Sequence, residues 1–236
     1  MKKQLVILIL FWGCGVIWAQ EKRVAGMPSD NVVINYLTEA NANAALYSGK
    51  VETPYNMRFV NHPYFETNRF VSGTLCYNHV VYKDVLMRFD LFRNELTVAS
   101  AGRTYPIVLN NEKFEYAILN VTTIVLSDSE KDSKGKFLVL LQNGVYPVVR
   151  KYKIDVAKDN SSDRTVIYSF RIQRQYAIYI NGVPHAVKNK NSILKLFPDR
   201  RKELNEFAKQ HRLDFKERIE HSIVSLVIHY ETMNNE

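Results

Sequence analysis

The chain is predicted to be an α+β protein: an antiparallel β-meander sheet, arranged as a sandwich or an open barrel, followed by a C-terminal helical hairpin packed on it. Three observations predict this class. Short aromatic and β-branched runs alternate with turn residues from Leu46 to about Val187, at intervals typical of antiparallel sheet. Asn143-Gly144 and Asn181-Gly182 each sit between apolar runs and tolerate the positive φ of tight hairpin turns. After Asn191 the apolar period changes from that of a strand to that of a helix.

The elements follow in chain order. Met1, Lys2 and Lys3 form a positive start, and Leu5 to Ile17 is apolar apart from Cys14 and two glycines, too short a run to span a bilayer as a stable helix. Residues 1–19 therefore read as a cleavable secretory signal, cut after Ala19. The rival is a lipoprotein signal with lipidation at Cys14. Trp12 is bulky for a residue next to the cleaved bond, and Gly15 to Trp18 continue the apolar run instead of opening a polar tether. Residues 20–45 are polar and Asn-rich and read as a poorly ordered leader. Residues 46–236 are expected to form a single α+β domain, β-rich over 46–187 and helical over 192–232.

Within the β-rich part, Val81, Lys83, Val85, Met87, Phe89 and Leu91 alternate with Asp84, Arg88 and Asp90, giving one buried and one wet face. Asn78-His79 and Arg93-Asn94 are placed to turn this strand into Phe70–Tyr77 and Glu95–Ala99, a three-stranded meander. Two further hairpins are expected. One joins Phe137–Gln142 to Val145–Ile154, and the other joins Arg171–Ile180 to Val183–Val187. The charged stretches 128–136 and 155–164 read as loops.

Pro198 suits the first turn of a helix over Asp199–His211. Asp214 and Glu217 form a capping-box pair for a second helix, in which Phe215, Ile219, Ile223, Leu226, Val227 and Tyr230 share one face. A stripe that long is expected to be buried against the sheet.

Charge and cysteine content bound the function. The net charge is +8, and losing Lys2 and Lys3 leaves 30 basic against 24 acidic residues, a net +6. This favours anionic partners of the envelope, such as acidic glycans or membrane surfaces. No basic run or signature of a nucleic-acid binder is present, so nucleic acid is not expected as a partner. After signal removal Cys76 is the sole cysteine, so no intramolecular disulfide can form.

Candidate chemistry is sparse. Cys76 and His79 lie three residues apart, but no nucleophile signature surrounds them, and a free cysteine is usually a small buried hydrophobe. Asp128, Glu130 and Asp132 alternate like the first calcium ligands of an EF-hand, yet the sixth and twelfth places hold Ser133 and Val139 where Gly and an acid are needed. His211, His221 and His229 lack the close helical spacing of a zinc site. No metal, cofactor or catalytic set is expected. Asp84, Arg88 and Asp90 are the candidate binding residues, as polar groups on one strand face able to hold a cation or a sugar hydroxyl, against the alternative of an ion-paired surface. The load of 14 Tyr and 12 Phe suits contact with sugar rings or protein.

The stretches Gly73-Thr-Leu-Cys-Tyr77, Tyr82-Lys-Asp-Val-Leu-Met-Arg-Phe-Asp90 and Leu196-Phe-Pro-Asp199 resemble a group of exported proteins common in Bacteroidota. The resemblance implies a Gram-negative envelope address, periplasmic or associated with the outer membrane, and brings no functional residues with it. The expected function is that of an exported, non-catalytic envelope protein that binds a macromolecular partner, an envelope protein or glycan. The alternative is a soluble carrier of a small apolar or glycan ligand.

Overall fold

A computed structural model describes residues 46–99, 105–127, 135–160 and 166–234. Residues 1–45, over which a signal and a leader are expected, lie outside the described residues with Cys14, as do Asp128, Glu130 and Asp132. The strands are β1 (Lys50–Val51), β2 (Val71–Tyr77), β3 (Val80–Asp90), β4 (Glu95–Ala99), β5 (Pro106–Val108), β6 (Phe114–Leu119), β7 (Thr122–Leu126), β8 (Phe137–Gln142), β9 (Val148–Asn160), β10 (Val166–Ile180) and β11 (Val183–Val187). Three helices follow: α1 (Lys190–Leu196), α2 (Arg201–Gln210) and α3 (Ile219–Asn234). No helix among the described residues is long and apolar enough to cross a membrane.

The strands form one antiparallel 11-stranded sheet in the order β1-β5-β4-β3-β2-β6-β7-β8-β9-β10-β11, not the two layers of a sandwich. Hairpins link β2 through β5 in one direction; the chain then crosses to the free edge of β2, and β6 to β11 run off the other way. The turns explain the registers. Asn78 and His79 both have positive φ (53° and 64°), as do Asn181 and Gly182 (52° and 78°), the backbone a two-residue primed turn requires.

Val85, Met87 and Phe89 face the core as expected, but the other face of β3 is not wet: Arg88 is half-buried and Asp90 is 1% exposed, because the chain's own segment around Glu52 and Tyr55 covers them. Asp84 has φ +56°, and the β2–β3 register shifts between Gly73 and Leu75, so a bulge inserts one residue. Tyr82 therefore enters the core with Val85, Met87 and Phe89, while Lys83 and Asp84 are exposed. Gly73 lies beside this bulge because β6 passes close: a Cβ there would meet the Ile118 carbonyl oxygen at 2.4 Å.

Three other expectations are corrected. Asn143 and Gly144 open a five-residue loop instead of a tight turn, and β9 starts at Val148; Glu231 of α3 holds this loop by accepting from Gln142 Nε2 (2.9 Å) and the Tyr146 N–H (2.7 Å). The stretch from Asp155 is strand as far as Asn160, and β10 begins at Val166, so β9 and β10 make a long ribbon. Residues 155–158 look like loop because Asp155, Val156 and Lys158 are all exposed and no apolar face alternates there. Third, Pro198 closes a helix instead of opening one. It disfavours helical backbone at Phe197 and ends α1, whose start is fixed by Asn189 Oδ1 accepting from the Ser192 N–H and Ser192 Oγ accepting from the Asn189 N–H. Asp214 does cap backbone N–H groups, of Lys216 and Glu217, but the turn it caps becomes α-helix only at Ile219.

The concave sheet face carries two cores. From β3 to β8 the sheet curls, bringing Phe89, Phe114 and Phe137 into edge-to-face contact with centroids 4.9–6.1 Å apart. From β9 to β11 the helices cover it: Val148, Ile178 and Val187 pack on Ile193, Leu204, Ile223, Leu226 and Val227. At the seam Arg150 of β9, 9% exposed, pairs with Glu220 of α3 at 2.9 Å, and the Tyr176 hydroxyl donates to the same carboxylate.

Candidate functional site

A cleft opens where the sheet forks. β8 and β9 pair from Gln142–Val148 through Leu140–Val149 to Val139–Arg150, where pairing stops although β9 continues for ten residues. Alongside β8, the turn between β3 and β4 takes over. Asn94 accepts the Phe137 N–H at 3.0 Å and donates to the Gly135 carbonyl at 2.7 Å, as a neighbouring strand would. β9 is left to diverge with β10.

The resulting cleft has a volume of about 560 Å³. Phe92 and Leu91 stand on one wall, Lys136 just before β8 and Leu138 on it, Lys151, Lys153 and Asp155 on β9, and Tyr179 and Pro184 behind. Lys153 lies 3.6 Å from Asp155. Among the described residues no carboxylate pairs with Lys151 or Lys136. Burial, and then the neighbouring Lys136 charge, push the Lys151 ammonium below its ordinary range. Phe92 is 44% exposed and rests on Phe170 of β10, with centroids 5.3 Å apart. The arrangement is a half-open, cationic cleft with an aromatic wall.

Asp84, Arg88 and Asp90 are not brought together. Asp84 sits exposed on the bulge. Arg88 donates to Glu52 at 2.6 Å and to the Asn68 carbonyl, and its guanidinium lies 4.0 Å over the Tyr64 ring. Asp90, 1% exposed, accepts from the Tyr55 hydroxyl at 2.6 Å and from the N–H groups of Phe92 and Arg93. Burial, then the Asp90 hydrogen bond, raise the Tyr55 hydroxyl far above its usual range. Arg88 and Asp90 thus clamp the chain's own segment 52–68 on β3. That segment continues to β10, where Val60 and Tyr168 bond through backbone groups and the Asn61 side chain pairs with both backbone groups of Phe170.

Cys76 and His79 are joined by Glu115, which sequence reasoning did not single out. Cys76 Sγ donates to Glu115 Oε2 at 3.2 Å, and Glu115 Oε1 lies 3.1 Å from the His79 ring. Burial and then this carboxylate push the thiol up to about 12, the opposite of what a nucleophile needs. His211 and His229 stack on Phe207 at 4.0 and 3.9 Å, joining α2 to α3. Among the described residues no group of three His, Cys, Asp or Glu is disposed to hold a metal ion.

The cleft residues Lys136, Lys151, Lys153 and Phe92 were missed by the sequence reading. The signal available was the alternation Lys151, Lys153, Asp155 against Tyr152, Ile154, Val156, which marks a strand running past Ile154. Comparison with protein-family models, curated proteins and solved structures gives no match for this chain.

Proposed function

We propose that the protein is an exported, non-catalytic component of the cell envelope that works by binding a macromolecular partner in the cleft at the β8–β9 fork. The observation that carries this reading is the cleft's lining: Lys136, Lys151 and Lys153 against one carboxylate, with Phe92 exposed at the wall. Such a lining recognises anionic groups presented beside an apolar surface. The export signal supports the address, and the excess positive charge supports an anionic partner.

A second reading, a carrier of a small glycan, is favoured by the cleft's volume, which lies within the roughly 300–1,000 Å³ of small-ligand pockets. An apolar cargo fits poorly beside three lysines. Affinity capture from envelope extracts, using the protein and its Lys151→Glu/Lys153→Glu variant side by side, tests the first reading. A partner retained by the protein and lost by the variant supports it. Capture that is equal for both, or of nothing, counts against it, and a glycan released from the purified protein on denaturation favours the second.

A further inference from the structure

The floor of the cleft is a strand edge whose outward backbone groups have no partner among the described residues. The Tyr179 N–H donates to the Pro147 carbonyl at 2.9 Å, which fixes the direction of backbone groups along this ladder. From Pro147 every second residue, through Lys151, Lys153 and Asp155, turns its N–H and C=O toward β10; the residues between turn theirs to the opposite edge. Arg150 meets Val139 of β8 there. Tyr152, Ile154 and Val156 come next, beyond the fork, and among the described residues nothing bonds to their backbone groups on that side. The same parity holds on β10, where Tyr168 and Phe170 turn outward and are met by the segment around Phe59. The described residues cover that edge with the chain's own segment and leave the β9 edge open.

Side chains follow the opposite alternation. Lys151 and Lys153 project on one face of β9, and Tyr152 and Ile154 on the other, with the Tyr152 ring against Phe65 of the core. Lysines are a common device for keeping bare edges from aggregating. A lysine serving only that purpose has no need of burial, yet Lys151 is drawn half into the cleft at the expense of its hydration.

We propose that the cleft accepts an extended segment of a partner protein as an added strand on β9, paired with Tyr152, Ile154 and Val156. Its acidic side chains, at alternate positions, face Lys151, Lys153 and Lys136. Strand addition of this kind draws affinity from main-chain bonds and selectivity from alternate side chains. The proposal rests on the reading of the protein as a macromolecule-binding component and names the chemistry of its partner.

The test uses short, blocked, dye-labelled peptides of alternating Glu and Val, with binding followed by anisotropy. The alternating peptide is expected to bind about tenfold or more tightly than an isomer with its Glu residues in one block. Methylating the peptide nitrogens at Val blocks antiparallel addition, and methylating those at Glu blocks parallel addition. One pattern is therefore expected to abolish binding and the other to leave it. Ile154→Pro removes only the outward N–H of β9 and is expected to weaken binding about tenfold, as is Lys151→Glu/Lys153→Glu. If Ile154→Pro does not fold, the methylated peptides still decide.

Equal binding of both isomers, or indifference to both methylation patterns, overturns strand addition and leaves a charge-only site. Absence of binding to about 1 mM also overturns it. A captured partner that still depends on Lys151 and Lys153 in that case keeps the broader reading intact.

Discussion

Asn94 and Phe137 are 43 residues apart in sequence, and the side-chain oxygen of the first takes the backbone N–H of the second at 3.0 Å. With its amide nitrogen on the Gly135 carbonyl, Asn94 fills the place a strand would take beside β8 and so creates the fork. Asn94→Ala leaves a partly buried N–H unpaired and is expected to lower stability by about 1–3 kcal/mol. Amide exchange at Phe137 should accelerate while that of β10 does not change, a pattern hydrogen-exchange mass spectrometry reads directly. Unchanged exchange there would mean that Asn94 does not hold the fork.

The Arg150–Glu220 pair ties the sheet to the first turn of α3. Glu220→Ala strands a guanidinium that is 9% exposed and is expected to cost about 3 kcal/mol, as removal of one partner of a buried pair does. Glu220→Gln keeps a hydrogen-bond acceptor for Arg150 and Tyr176 and should cost less. Denaturant melts of the two variants check the order.

The helices complete the second core, and the sheet cannot close that core without them. Deleting residues 191–236 uncovers Val148, Ile178 and Val187 and removes Ile193, Leu204, Ile223, Leu226 and Val227. At roughly 1.5–3 kcal/mol for each buried aliphatic side chain, the loss exceeds a whole-domain margin of about 5–15 kcal/mol. The fragment ending at Lys190 is expected to aggregate or to melt without a cooperative transition. A sharp transition near that of the complete chain would show that the helices dock on a sheet already stable without them.

Lys151 is held in the cleft against its own hydration. A lysine whose folded pKa lies below its unfolded value weakens the fold while charged, and that penalty disappears as pH rises through the folded pKa toward about 10.4. Lys151→Met is expected to raise stability by roughly 0.5 kcal/mol near neutral pH, discounted for the solvent reaching the group. The gain over the parent should shrink in the alkaline window below about 10.4. Thermal melts of both proteins from neutral to alkaline pH check the sign, and a variant less stable than its parent at neutral pH would contradict it.

What the sequence disclosed follows the physics of each element. Val85, Met87 and Phe89 declare a half-buried strand because only one face meets the core, and Asn181-Gly182 declares its turn because few residues accept two positive φ angles in succession. The α3 stripe was legible for the same reason, since Ile223, Leu226, Val227 and Tyr230 are all buried in the second core. The end of β9 was not, because Asp155, Val156 and Lys158 are all exposed and period two vanishes there, while Phe170 opposite is buried by Phe59 from a distant segment. Neither was the jump of β6 to the edge of β2, which no local signal in residues 109–113 encodes. The cleft depends on Asn94 reaching Phe137, a contact between distant segments, so Lys151 and Lys153 read in isolation as surface charge. Arg88 and Asp90 stood out as polar groups on a strand, but their partners Glu52 and Tyr55 come from a segment with no periodic pattern at all.

The central claim, that the cleft at the fork is where a partner binds, is tested most directly by photo-cross-linking in the producing cells. A benzophenone amino acid replaces Phe92 at the cleft wall, and Val121, 98% exposed in the β6–β7 turn, serves as the control position. A discrete adduct is expected from position 92, lost when Lys151→Glu and Lys153→Glu are added and absent from position 121. No adduct from position 92, or one that persists with both lysines reversed, would contradict the claim.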